Sequence, residues 1–212
     1  MIDWTISAAR DSEALCSVLL STDDQSIAEV GQRAGALVPW LRPPQLATDT
    51  ADSVSVVLHA LEWFETAFGK VDGIMLLQPT SPFRTSMSIR KATDEFVRKQ
   101  GRTIISFSPA PIHPAWCFSF DNGKPLPFLG WEAVMKSSQQ LPAAYMVNGA
   151  IYLIRPDLLK RERRFINEDM FPLIMEDPVE GLDIDTPFDM DLAREYCKSR
   201  PSPFSRQEQT SN

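Results

Sequence analysis

Short apolar runs alternate along this chain with segments whose apolar residues recur at helical spacing, and that alternation leaves few folds open. Residues 17–21 (SVLLS), 73–77 (GIMLL), 103–107 (TIISF) and 150–154 (AIYLI) read as buried strands, with 171–175 as a fifth. Between them a helix opens at Asp23 or Asp24, carries Ile27, Val30 and Ala34, and ends at Gly35. Residues 50–68 form the next helix, with Val54, Val57, Leu58 and Leu61 on one side. Thr85 caps another, which carries Ile89, Ala92 and Phe96 and stops at Gly101. Strands alternating with helices predict a mostly parallel sheet covered on both faces. Such sheets bind ligands at the C-terminal ends of their strands, so the chemistry is sought just after each strand.

The chain of 212 residues suits one large α/β domain with a small insertion. The domain is expected over residues 1–200, the insertion at about 109–145, where prolines and tryptophans gather, and a polar, disordered tail over 201–212. A net charge of −7 argues against nucleic acid or an anionic membrane as the main partner. The three cysteines, Cys16, Cys117 and Cys197, are widely spaced and odd in number. They point to a reduced, cytoplasmic setting rather than a disulfide framework. The opening residues, interrupted by Asp3 and Arg10, do not read as a signal peptide. No apolar run reaches the ~18 residues of a membrane span. The two histidines, His59 and His113, sit in a helical pattern and between prolines, which disfavours a His-based nucleophilic triad. The run 160–164 (KRERR) reads as a solvated basic face near a helix end.

The loops after the strands are polar and bracketed by proline. Gln78-Pro79-Thr80-Ser81-Pro82-Phe83-Arg84 follows GIMLL, and Thr22-Asp23-Asp24 follows SVLLS. Near the end comes GLDIDTPFD, residues 181–189. In an extended segment Asp183 and Asp185 point to the same side. From spacing alone, this pair either holds a divalent cation or serves the helix that follows. Thr186 to Asp189 reads as a capping box with Pro187 at the first helical position. The DxDxT motif of haloacid-dehalogenase-type phosphatases does not fit: the fifth position is Pro187, and that motif closes the first strand of its domain.

Four pieces, LSTDDQSIAEVGQRAGALVPWLRPPQLATDTADS, LLQPTSPFRT, QQLPAAYMVNGAIYLI and DIDTPFDMDLA, stand in order across almost the whole chain. Together they resemble the cytidylyltransferases that activate nonulosonic acids, such as the enzymes that make CMP-N-acetylneuraminate. The resemblance implies a Rossmann-like α/β nucleotidyltransferase fold with a dimerisation insertion and a homodimeric assembly. It implies transfer of CMP from CTP to the anomeric hydroxyl of a nonulosonic acid, with Mg²⁺ or Mn²⁺ bound and pyrophosphate released. Carried over residue by residue, it assigns Asp183 and Asp185 to the metal and to catalysis. It assigns Arg42, Ala51 and Ser53 to CTP, and Gln78, Gln139, Asn148 and Tyr152 to the sugar. Phe165, just after the 160–164 run, is a candidate for lining the pocket of the sugar's acyl group.

Two departures qualify it. Family members open with a strand and a Gly/Ser/Lys/Arg-rich loop that cradles the triphosphate, whereas this sequence begins at MIDWTISAA, inside the segment that follows that loop. The expectation is that the true start lies upstream of Met1. The competing reading is a truncated, inactive homologue acting as an interaction module. Ser138 also stands where sialic acid enzymes carry an arginine able to pair with the sugar carboxylate, and Met146 where a polar or basic residue is frequent. The sugar is therefore left open among sialic, legionaminic and pseudaminic types. The runner-up activity is 3-deoxy-octulosonate cytidylyltransferase.

Overall fold

A computed structural model describes residues 1–48 and 50–199. The elements run α1 (Ile2–Asp11), α2 (Gln25–Arg33), α3 (Ser53–Phe68), β1 (Ile74–Leu76), α4 (Ser86–Arg98), β2 (Ile104–Pro109), β3 (Phe118–Asp121), β4 (Lys124–Pro127), α5 (Gly130–Val134), β5 (Tyr145–Ile154), α6 (Pro156–Glu162), β6 (Phe171–Ile174) and α7 (Pro187–Ser199). The helix starts are fixed by side chains that satisfy otherwise orphaned N–H groups. Asp24 accepts from Ser26 and Ile27, Asp52 from Ser55, and Thr85 from Ser88. The expected tail over 201–212 lies outside the described residues.

The main sheet has the order β1-β5-β2-β6. β5 is antiparallel to both β1 and β2, and β2 is parallel to β6. The expectation of a mostly parallel sheet is thus corrected in its hydrogen bonding: β1, β2 and β6 share a direction, but the reversed β5 is wedged among them. The reason is the excursion over residues 110–144. It leaves and re-enters the sheet at one end, where Pro109 faces Tyr145, so β2 and β5 are the arms of a long-looped hairpin and must run opposite ways. Within the excursion β3 and β4 pair as a second small hairpin that sequence patterning did not indicate.

Helices cover both faces. On one, Ala9 of α1 and Ile89, Ala92 and Phe96 of α4 pack with Ile104, Ile151, Leu153 and Leu173. On the other, Val54 and Val57 of α3 and Leu159 of α6 pack with Ile105, Ile154 and Phe165. Ile104 and Ile105, both wholly buried, show the two-residue period of a strand sandwiched between layers. α1 was not read from the sequence, although Ile2, Ile6 and Ala9 carry the spacing.

Residues 17–21 correct the other expectation, because they form no named strand. Their one ladder contact is a parallel bridge between Leu19 and Leu37, closed by Leu20 N–H to the Leu37 carbonyl (2.9 Å) and Leu37 N–H to the Val18 carbonyl (2.8 Å). The partner is only the short return after α2, too brief to propagate a ladder. Among the described residues no helix is long and apolar enough to cross a membrane.

Candidate active site

The loop after β1 folds back on a buried cation. Arg84, 2% exposed, donates to the Gln78 carbonyl and, at 3.0 Å, to the Thr5 hydroxyl. This ties the two ends of the 78–84 loop together. Burial pulls the Arg84 pKa down to about 9, and the negative charge of Asp183 works against that fall. Inside the loop, buried Ser81 lies 3.4 Å from both the Asn148 carbonyl and Asp183 Oδ1. Thr80 accepts a hydrogen bond from the Ile184 N–H at 2.8 Å.

β5 meets this loop at Asn148 and Gly149. Gly149 holds φ at +75°, a conformation that costs other residues steric strain. A Cβ there would lie 2.5 Å from Gln78 Oε1, 3.3 Å from Ser81 Oγ and 3.7 Å from Asp183 Oδ2. Gly181 serves the same closeness from the other side: a Cβ there would stand 2.1 Å from Ser108 Oγ. Three segments far apart in sequence, 78–84, 148–149 and 181–185, therefore meet at van der Waals contact.

The Asp-Ile-Asp stretch is not in a strand, yet it alternates as one. Ile184 is 8% exposed and packs with Phe83 and Ala193, while Asp183 is half-buried and Asp185 exposed. The cap of α7 is supplied by its own first turn. Asp189 Oδ2 accepts from the N–H groups of Asp185 (3.2 Å) and Thr186 (2.8 Å), and the Thr186 hydroxyl accepts from Asp189 N–H. The helix-cap role that spacing allowed for Asp183 and Asp185 is thus filled by Thr186, whose hydroxyl takes the Asp189 N–H while Asp189 reaches back to the Thr186 N–H, and neither earlier carboxylate takes part in it. No group of three or more His, Cys, Asp or Glu side chains suited to a metal exists among the described residues. A divalent cation here would draw on these two carboxylates, with phosphate and water completing its shell, which is the donor set Mg²⁺ prefers.

The other expected residues fall into three places. Tyr152, on β5 opposite Leu76 and Ile105, packs its ring against Phe165 at 5.6 Å. Burial raises the Tyr152 hydroxyl pKa, and the charge of Asp183 pushes it the same way, which puts the two groups within electrostatic reach. Asn148 belongs to the same cluster, but its amide is 3% exposed and fully engaged. Its Oδ1 accepts from Ser106 Oγ (2.6 Å) and the Ala150 N–H (3.1 Å), and its Nδ2 donates to Ser108 Oγ (2.9 Å). It braces the site from behind. Arg42, Ala51 and Ser53 lie outside that cluster. Arg42 donates to Ser21 through its guanidinium (3.1 Å to Oγ) and to the Thr22 carbonyl through its N–H (2.7 Å). Ala51 and Ser53 flank Asp52, the cap of α3. Arg42 and Pro79 line one cavity, which links Arg42 to the 78–84 loop. Gln139 stands apart, exposed in a short 3-10 turn of the excursion over 138–140. Sequence reasoning named no role for Ser81, Arg84, Gly149 or the Ser106–Ser108 pair. The loop carrying Ser81 and Arg84 had been singled out, but burial cannot be read from a loop.

A profile described as Cytidylyltransferase matches residues 1–210. The chain is 36% identical over 202 residues to a CMP-N,N'-diacetyllegionaminic acid synthase of Legionella pneumophila, covering 93% of this chain and 85% of the relative. It is 29% identical over 194 residues to an N-acylneuraminate cytidylyltransferase of Escherichia coli, covering 91% of this chain and 45% of that longer one. A pseudaminic acid cytidylyltransferase of Campylobacter jejuni is 30% identical over 155 residues, covering 72% and 66%. Among solved structures, a CMP:2-keto-3-deoxy-manno-octonic acid synthetase complexed with CTP superposes at a TM-score of 0.60 with 13% identity, covering 92% of this chain and 88% of that one. A 4-diphosphocytidyl-2C-methyl-D-erythritol synthase of Anaerococcus prevotii gives 0.60 with 9% identity, covering 93% and 88%. At such identity these two structures speak for the fold alone.

Proposed function

The chain belongs to the cytidylyltransferase family, and from that premise we propose that it transfers CMP from CTP to the anomeric hydroxyl of a nonulosonic acid. The observation that carries the reading is the meeting of Gln78, Gly149 and Asp183 in one contact cluster, since it joins three of the four stretches on which the family resemblance rests. The sugar oxygen attacks the α-phosphorus, a P–O bond forms, and the bond to the β-phosphate breaks to release pyrophosphate.

In this reading the cytidine side lies along Arg42, Ala51 and Ser53. The sugar lies over Gln78 and Tyr152, with Asn148 holding β5 in place beneath them. Gln78 can donate and accept at once, as a polyhydroxylated substrate requires. Asp183 and Asp185 would hold Mg²⁺ or Mn²⁺, and the bound cation would offset charge on the α-phosphate and the departing pyrophosphate. Gln139 joins the sugar side only through the excursion, from this subunit or a second. A legionaminate-type acid is favoured over neuraminate or pseudaminate by the higher identity to the Legionella relative. We place the reaction in the cytoplasm, where the three free cysteines stay reduced.

We also propose a homodimer held by the excursion. Phe120, Leu126, Phe128, Leu129, Trp131 and Met135 are all exposed on it, an apolar concentration that a partner surface would cover. Sedimentation of the wild type and of a Phe128→Glu, Trp131→Glu variant checks this: the wild type should sediment as a dimer and the variant as a monomer.

The activity is tested by pyrophosphate release from CTP and Mg²⁺ with N,N'-diacetyllegionaminate, N-acetylneuraminate, pseudaminate and 3-deoxy-octulosonate. Release with a nonulosonic acid is expected. Release with the octulosonate alone would move the assignment to that substrate, and release with none of them would remove it.

A further inference from the structure

The basic run over residues 160–164 divides in the structure. Arg161 and Arg164 both turn to Glu162, at 3.1 and 3.4 Å. The other two cations reach across to α3. Lys160 meets Glu65, near the far end of that helix, at 2.7 Å. Arg163 donates to Ser55 Oγ, in its first turn, also at 2.7 Å.

The Arg163 contact feeds a chain of hydrogen bonds. A hydroxyl that accepts from a guanidinium keeps its own proton to donate, and Ser55 Oγ gives it to Asp52 Oδ2 at 2.7 Å. The Ser55 N–H donates to the other oxygen of the same carboxylate at 2.9 Å. Arg163, Ser55 and Asp52 thus form a line from cation to carboxylate in which each bond polarises the next. The hydrogen bonds from Ser55 lead the causes that lower the Asp52 pKa, and the charge of Arg163 adds to them. Asp52 is the cap of α3, and the residues on either side of it are Ala51 and Ser53.

The base of this arm is held on both sides. Before it, α6 ends at Arg163 itself, in the left-handed conformation with φ +54°. Two residues after it, Phe165 is 8% exposed, packs with Val54 and Val57 of α3, and meets the ring of Tyr152. The guanidinium is therefore delivered to one place, the first turn of α3.

We infer that Arg163 is a positioning residue for CTP: through Ser55 and Asp52 it fixes the turn over residues 51–53 without itself touching the nucleotide. The inference rests on the reading of Ala51 and Ser53 as the cytidine side. The bonds are exposed, so the effect is a few-fold one rather than an abolition.

The test compares variants of the 212-residue chain. Arg163→Gly removes the arm while easing the left-handed backbone, so it separates the arm from the fold. Its Tm should be unchanged or higher, while Kd for CTP by calorimetry and KM for CTP each rise about fivefold, with kcat and KM for the sugar changed by less than about twofold. Arg163→Lys can still donate to Ser55 and should recover most of the CTP affinity. Lys160→Ala breaks the other tie between the same two helices, about 15 Å along α3 from Ser55, and should leave CTP binding within about twofold of the wild type. The same loss in Lys160→Ala would make the effect one of helix docking and overturn the inference, as would an equal rise in both KM values. Ser53→Phe, which crowds the cytidine side, keeps the inference apart from the reading beneath it. Weakened CTP binding in Ser53→Phe with none in Arg163→Gly would overturn the inference alone. CTP binding indifferent to both would remove the nucleotide from residues 51–53 as well.

Discussion

Gly149 approaches Gln78 as only a glycine can: a Cβ in its place would stand 2.5 Å from Gln78 Oε1, on a backbone held at φ +75°. The contact sets the position of the one amide side chain in the loop after β1, proposed above to face the sugar. Gly149→Ala should cost about 1–2 kcal/mol through the left-handed backbone, a fall in Tm of a few degrees. The larger effect should be on the sugar. The Gln78 amide can swing away, so KM for the nonulosonic acid should rise by about tenfold or more, while KM for CTP changes little. Thermal melts and steady-state kinetics check the split, and an equal rise in both KM values would detach Gly149 from the sugar side.

Asn148 is the buried brace, and its loss should appear in stability. Asn148→Ala removes the side-chain partner of the Ala150 N–H and of Ser108 Oγ, while Ser106 Oγ keeps its bonds to Ile151, in a region where Asn148 itself is 3% exposed. The expected cost is about 2–4 kcal/mol. Urea unfolding measures it, and a cost below about 1 kcal/mol would mean that the freed groups find other partners.

The two aspartates should separate by stability and agree in catalysis. Asp185 is exposed, and Asp185→Asn should leave stability nearly unchanged. Asp183 faces buried Arg84, whose ionised form it supports, so Asp183→Asn should cost roughly 1 kcal/mol. Both substitutions, and removal of Mg²⁺ by chelation, should lower CMP transfer by about a hundredfold or more. Pyrophosphate release with and without added cation reads this directly. Full activity in either variant would remove that residue from the metal site.

The cap of α3 should respond to acid. Hydrogen bonds from the Ser55 side chain and N–H hold the Asp52 pKa below its ordinary value of 3.8. A carboxylate with a depressed folded pKa stabilises the fold fully above the unfolded value, and the contribution is lost as pH falls through the folded value. Asp52→Asn keeps an acceptor but does not titrate. The advantage of the wild type over Asp52→Asn, read from urea midpoints, should be present at about pH 6 and shrink below 3.8. A gap that is constant across that range would show that the charge adds nothing to the cap.

Much of the fold was legible because local signals agreed with the tertiary outcome. Thr85 caps α4, Asp24 caps α2, and the capping box at Thr186 and Asp189 starts α7, as the sequence predicts. The strands over 73–77, 103–107 and 171–175 appear within a residue or two. α1 was missed although its spacing was visible, and residues 17–21 were read as a strand because an apolar run does not reveal whether a partner lies alongside.

By itself the sequence determined the α/β class, the helix boundaries, the loops that carry the chemistry and the family resemblance, since each depends on neighbours along the chain. Only the tertiary structure decided what depends on residues far apart. It set β5 against β1 and β2, because the excursion over 110–144 returns to the end of the sheet it left. It turned the amide of Asn148 inward, and it buried Arg84 beneath the loop it closes. It also gave the cap of α7 to residues other than Asp183 and Asp185. Thr186 and Asp189 cap α7 between them, so neither carboxylate is consumed by the helix, and Asp183 lies beside Gly149 and Ser81. Which carboxylate takes an N–H depends on the path of the backbone through the turn, and residue spacing does not carry that information.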